Sequence, residues 1–264
     1  MLTPQPADPS TVPRHLPTRR TLARGAAWAV PVLAVGSAAP AFAASCAPWR
    51  YTLDWGGSAT STYTRVSNVS ASATVTSTDV GAPLVNVFVS ATVPVGEPVQ
   101  PRFDNLEVSA GPIGGTGDVG LLLRQVQAST GGNPPGPDAA MAVTFAFDHT
   151  VTDLAFTVTD IDSSSTASRF VDQVHLTPAP PEVVLADPSY LQGVGSSAQP
   201  LQPIATDEPL DDESSGRGNA SVGFGGVDAV TLTLRNGTVF AFESEVAQSV
   251  FLTSMSFSVV PDTC

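Results

Sequence analysis

Met141-Ala142-Val143-Thr144-Phe145-Ala146-Phe147-Asp148-His149-Thr150-Val151-Thr152-Asp153-Leu154-Ala155-Phe156-Thr157-Val158-Thr159-Asp160-Ile161-Asp162 alternates apolar and polar side chains almost without interruption. Met141, Val143, Phe145 and Phe147 share one parity, and Leu154, Phe156 and Val158 make a second run of the same kind. A period of two marks a strand with one buried and one wet face, which antiparallel sheets accommodate. The polar break around His149 predicts a turn that separates two strands. Working outward, Val230, Leu232 and Leu234 repeat the pattern, as do Met255, Phe257 and Val259. Between such runs stand clusters of Gly, Pro, Asn, Asp and Ser, and no helical periodicity survives beyond residue 46. Asn236-Gly237, set between 230–235 and 238–243, predicts a hairpin, because Asn-Gly accepts the positive φ angles of a two-residue turn. Longer loops are expected at 111–120, 130–137 and 196–218. Many strands, polar turns and no linker between two cores predict an all-β fold: one antiparallel β-sandwich over 44–264, of which a jelly roll is one form.

The N-terminal segment reads as an address. Arg19 and Arg20, within Thr18-Arg19-Arg20-Thr21-Leu22-Ala23-Arg24, precede a mildly apolar run over 25–40 and then Ala41-Phe42-Ala43. A charged region, an apolar region and small residues at a cleavage position make an export signal over 1–43. The paired arginines ahead of Gly25-Ala26-Ala27-Trp28-Ala29-Val30-Pro31 resemble the twin-arginine signals of Gram-positive surface proteins, and that resemblance implies secretion or cell-surface association. A membrane anchor is disfavoured because Gly25, Pro31, Gly36 and Pro40 interrupt the run, whereas a span wants about 20 consecutive apolar residues. The mature part is therefore expected to lack a transmembrane span. Two cysteines remain, Cys46 and Cys264. Outside the cytoplasm they would form a disulfide clasp, worth about 5 kcal/mol for so long a loop in the chain-entropy picture. The rival is a lipid on Cys46, although Ala43-Ala44-Ser45-Cys46 lacks the leucine usual three positions before such a cysteine.

Charge narrows the partners. All 11 basic residues are arginine, against 24 Asp and Glu, for a net charge of −13. A polyanion needs a basic face, so nucleic acid is excluded as a partner. The absence of lysine is a matter of composition and carries no function.

Parity also singles out a candidate ion site. Asp160 and Asp162 continue the inward parity of Leu154, Phe156 and Val158, and Asp172 shares that of Phe170, Val174 and Leu176 on the next strand. Three converging carboxylates need a cation, and calcium would suit Asp160, Asp162 and Asp172 together with carbonyls of the 163–168 loop. The alternative pairs Arg169 with one acid and leaves the others in water. Glu243 and Glu245 alternate as a glycosidase pair could, but no third acid accompanies them, and no serine elbow or zinc spacing of histidines appears. His175 is expected on the wet side of its strand. Trp49, Tyr51, Trp55 and Tyr63 could form a sugar-binding face or pack in the core.

The segment 147–162, followed by Phe170-Val171-Asp172-Gln173-Val174, resembles sandwich modules of bacterial surface and secreted proteins, which implies a surface or binding role and no catalytic residues. The expectation is a secreted or surface-associated binding module for carbohydrate or a surface protein. A secreted carbohydrate hydrolase and a purely structural surface component are the alternatives.

Overall fold

The computed structural model describes residues 47–128, 136, 138–165, 169–238 and 245–261. The segment read as an export signal, with Arg19 and Arg20, both cysteines and Glu243 lie outside the described residues. In chain order the strands are β1 (Trp49–Leu53), β2 (Ser61–Ser67), β3 (Ser70–Val75), β4 (Val85–Thr92), β5 (Val99–Pro101), β6 (Leu121–Gln127), β7 (Ala140–Thr159) and β8 (Ser163–Ser164). They continue as β9 (Phe170–Thr177), β10 (Glu182–Leu185), β11 (Leu191–Gln192), β12 (Gln202–Pro203), β13 (Ala220–Phe224), β14 (Val227–Asn236), β15 (Val246–Leu252) and β16 (Met255–Val259). No helix occurs among the described residues, so none there is long and apolar enough to cross a membrane.

β7 organises both layers. Its first half lies between β4 and β14 in a sheet ordered β2-β3-β4-β7-β14-β9, with β8 on β9. Its second half lies between β13 and the successive strands β15 and β16, to which β6 and β1 add. The expected turn at His149 is therefore a bend inside one 20-residue strand. Asp153 takes a φ of 51° there, and the strand crosses from one sheet to the other. Corners of this kind let one strand serve two packed sheets.

Alternation dictates the core between those sheets. Met141, Val143, Phe145 and Phe147 from the first half of β7 are buried, as are Leu154, Phe156 and Val158 from the second. Val230, Leu232, Leu234, Met255, Phe257 and Val259 join the same cluster, as their parity predicts. Aromatic contacts tie the layers: Phe147 meets Phe257 edge-on at 5.4 Å between centroids. The β-sandwich is thus the observed architecture.

The hairpin at Asn236-Gly237 does not form as expected. Neither residue adopts a positive φ, and β14 pairs with β7 and β9, whereas β15 pairs with β6 and β7. Asn236 instead accepts backbone N–H bonds from Val171 (3.2 Å) and Thr238 (3.0 Å), and Gly237 donates to the Val171 carbonyl at 2.8 Å. A buried asparagine bonded across to β9 replaces the turn, and the chain passes on to the second sheet.

Candidate functional site

Two places among the described residues are taken up for their polar chemistry. The first is the end of the sandwich where β7 finishes. Asp160, Asp162 and Asp172 are all buried there, at 5%, 7% and 0% exposure, but alternation does not bury the first two: β7 ends at Thr159, Asp160 takes a φ of 63°, and Thr159, Ile161 and Ser163 are buried as well. Their partners differ. Asp172 accepts from Gln248 Nε2 at 2.8 Å through Oδ1 and from the Asp162 amide at 3.2 Å through Oδ2. Asp162 Oδ2 accepts from the Leu210 amide at 2.8 Å. Asp160 Oδ1 has no donor among the described residues. Burial drives the Asp160 carboxyl up to about 9, helped by the nearby charges of Asp212, Asp162 and Asp211. Burial also raises Asp162, with the charge of Asp212 adding to it, and Asp172, with the charge of Asp162 adding to it. No three His, Cys, Asp or Glu side chains among the described residues are disposed to hold one metal ion by themselves.

Behind Asp172 runs a polar chain that the sequence alone did not reveal. Gln125 Nε2 donates to Gln248 Oε1 at 2.8 Å, and Gln248 in turn donates to Asp172. Asn236 Nδ2 donates to Gln127 Oε1 at 3.3 Å. Gln125 and Gln127 are fully buried because they continue the inward parity of Leu121 and Leu123 on β6; Gln248 does the same with Val250 and Leu252 on β15. That shared parity was the available signal. Glutamine in a core must be hydrogen-bonded to be tolerated, and Asp172 supplies the acceptor for one of them.

The second place is the outer face of the first sheet. Ala140 and Ala142 of β7 stand opposite Arg235 and Thr233 of β14, which face Gln173 and His175 of β9. Small side chains on the floor and larger ones beside them leave a trough, walled by the 92–94 turn and by Ser197 and Pro200, with a volume of about 530 Å³. Arg235 donates through Nε to Gln173 Oε1 at 2.9 Å, and Nη2 contacts the same oxygen. Among the described residues no carboxylate lies within ion-pair distance of this guanidinium, although Asp138 lines the trough. His175, on the wet side of β9 as expected, is held below its ordinary pKa by burial and by Arg235, so it is a neutral ring at pH 7. Among the described residues no Phe, Tyr or Trp lines the trough.

The other sequence candidates separate. Tyr51 and Trp55 are buried, and Trp55 packs against Tyr63 and Phe145, so these aromatics build the core and not a sugar-stacking face. Glu245 is exposed beside 98–103, and its companion Glu243 is outside the described residues. His149 sits in β7, its Nδ1 at 2.8 Å from Asp148.

Comparison with family profiles, curated proteins and solved structures yields no match.

Proposed function

We propose that this chain is an exported, surface-associated β-sandwich that binds carbohydrate through the trough on the outer face of its first sheet. One observation carries the reading: the Arg235 guanidinium, in a strongly acidic chain, lies in a concave polar trough with an amide as its only hydrogen-bonding partner among the described residues. A fork of N–H donors beside an amide and a neutral imidazole suits a ligand rich in hydroxyl groups and bearing a carboxylate. The described lining offers hydrogen bonds and charge to a ligand. The preferred ligand class is therefore an acidic, uronate-containing glycan.

Titration calorimetry with oligouronates and with their neutral counterparts tests this directly. Arg235→Ala should weaken uronate binding by about 10- to 100-fold, the range for losing a hydrogen-bonded charge, while leaving the melting curve close to that of the parent. Equal affinity for neutral and acidic sugars, or an unchanged affinity in the variant, would overturn the assignment.

Export is the other half of the proposal, and it rests on the arginine pair. Replacing Arg19 and Arg20 together with lysine should leave the precursor in the cytoplasm, as judged by cell fractionation, because the pair is a receptor-read address. Unchanged secretion would refute the twin-arginine reading.

A further inference from the structure

β7 ends where β13 begins. Ala220 pairs with Val158, so the same register sets Asn219 beside Thr159 and Gly218 beside Asp160, and the Ile161 amide donates to the Gly218 carbonyl at 3.1 Å. At this junction three buried oxygens lack any hydrogen-bond partner among the described residues: Thr159 Oγ1, Asp160 Oδ1 and Asn219 Oδ1. Thr159 is 0% exposed and Asp160 5%. A carboxylate and an amide carbonyl only accept, so neither can satisfy the other. Leaving such groups unpaired in a dry place is expensive, and native structures resolve it with a donor or a cation.

The surroundings hold these oxygens in place. Asn219 Nδ2 donates to the Gly114 carbonyl at 2.8 Å, which fixes the amide with its oxygen turned away from that bond. Gly114 has a φ of 53°, and a Cβ added there would come within 2.7 Å of Thr159 Cβ and 2.8 Å of Asn219 Oδ1, so the turn closes on both side chains as only glycine can. Asp160 itself takes a φ of 63°, a left-handed conformation that Asp tolerates better than most residues. The exposed 207–217 segment is tied to the same turn: the Gly114 amide donates to the Asp212 carbonyl at 2.7 Å, and the Gly115 amide to the Glu213 carbonyl at 3.0 Å. Asp212 thereby brings a second carboxylate close to Asp160, and its charge acts on that residue more than Asp162 does.

We infer that the junction of Thr159, Asp160 and Asn219 is a calcium site, with Asp160 as its buried charged ligand, Asn219 and Thr159 as neutral oxygen ligands, and Asp212 as the second carboxylate from the overlying segment. Calcium accepts such mixed sets of carboxylate, amide, hydroxyl and carbonyl oxygens in irregular geometry, whereas magnesium demands a near-octahedral set and keeps its water. Neutral oxygens complete the shell where three acidic side chains do not converge. Asp172 is left out of the set, since Gln248 and the Asp162 amide already supply a donor to each of its oxygens. The site stands independently of the carbohydrate trough.

The test is thermal unfolding of the secreted full chain, stripped of divalent ions and titrated with calcium chloride or magnesium chloride. Calcium should raise the melting temperature saturably, by about 5–10 °C at a hundredfold excess over its dissociation constant, and magnesium by less than half as much. Asp160→Asn should lose the calcium shift, and Asp172→Asn should keep it. Asn219→Ala provides a second variant that should bind calcium at least tenfold more weakly, should Asp160→Asn fail to fold. No calcium shift up to 10 mM (about tenfold above the weakest dissociation constant of extracellular modules), or a full shift in both Asp160→Asn and Asn219→Ala, overturns the site. A shift lost only in Asp172→Asn would place the ion at Asp172 and equally overturn it.

Discussion

Stripped of divalent ions, the protein should lose stability steadily as the pH is raised from about 4 to 9. In the folded chain burial holds the Asp160 carboxyl up to about 9 and raises Asp162 and Asp172 as well. In the unfolded chain the same three groups ionise near the ordinary value of about 4. Between those limits the folded state binds more protons than the unfolded one, so the slope of stability against pH is negative. The contribution is fully present below about pH 4 and disappears as the pH rises through the folded values. A tenfold difference in proton affinity between the folded and unfolded chain is worth about 1.4 kcal/mol. Even with generous allowance for water entering and the site relaxing, three raised carboxyls should together remove roughly 3 kcal/mol or more between about pH 4.5 and 9. Exposed acids act in the opposite sense but in another window. Asp187 is lowered to about 2 by hydrogen bonds from Ser189 and Arg217, and Asp211 is lowered by Ser214, so both withdraw stability only below about pH 4. Urea midpoints at about pH 4.5, 7 and 9 after exhaustive dialysis check the slope. A midpoint that climbs across that range would mean these carboxyls are solvated and ionised in the folded chain.

The parts of this fold that rest on short-range alternation were readable from the residues, and the parts that rest on pairing were not. Every apolar run singled out in the sequence faces the core, and Asp172 lies inward as its parity predicts, whereas Asp160 and Asp162 are buried beyond the end of β7, where a left-handed Asp160 breaks the alternation. Two errors have one cause. A polar break of six residues looks like a turn whether the chain reverses or a single strand bends from one sheet to the next, and the Asp148–Asp153 region of β7 does the latter. Asn-Gly favours a tight hairpin in isolation, but Asn236 finds a better partner in the Val171 amide of β9, and this long-range bond decides the path.

The candidate site was legible to the same depth. Three acids at one end could be named, but not which of them would be supplied with donors. That depends on Gln248 and Leu210, which are distant in sequence from Asp172 and Asp162. Asn219 and Gly114 gave no sign because an amide and a glycine in polar loops are ordinary until register sets them beside Thr159. The trough was equally hidden: Ala140, Arg235 and Gln173 adjoin only through the pairing of β7, β14 and β9.

Trp55→Ala should be among the most damaging single substitutions in the core, at about 3–5 kcal/mol, the range for truncating a fully buried aromatic. Trp55 lies in the turn that follows β1, held by the Asp54 side chain accepting from the Gly56 amide at 3.0 Å and by the Gly57 amide donating to the Asp54 carbonyl at 3.1 Å. From that turn the indole reaches across the sandwich. It meets Tyr63 of β2 edge-on at 5.4 Å and Phe145 of β7 at 6.1 Å, both in the first sheet. Its Nε1 donates to the Thr253 carbonyl at 2.8 Å, at the point where β15 passes into β16 in the second. One side chain thus joins the two layers by packing and by a directional bond. Removing it opens a cavity and also strips a part-buried carbonyl of its donor, and the two penalties add. Trp55→Phe separates them: it retains most of the ring packing, loses the hydrogen bond, and should cost about 1–2 kcal/mol. Phe88 is the control, since it projects from the outer face of β4 at 56% exposure, and Phe88→Ala should fall within about 0.5 kcal/mol of the parent. Urea unfolding of the three variants, with midpoints compared at constant slope, measures all three costs. If Trp55→Ala proves no more harmful than Phe88→Ala, the indole does not lie between the two sheets.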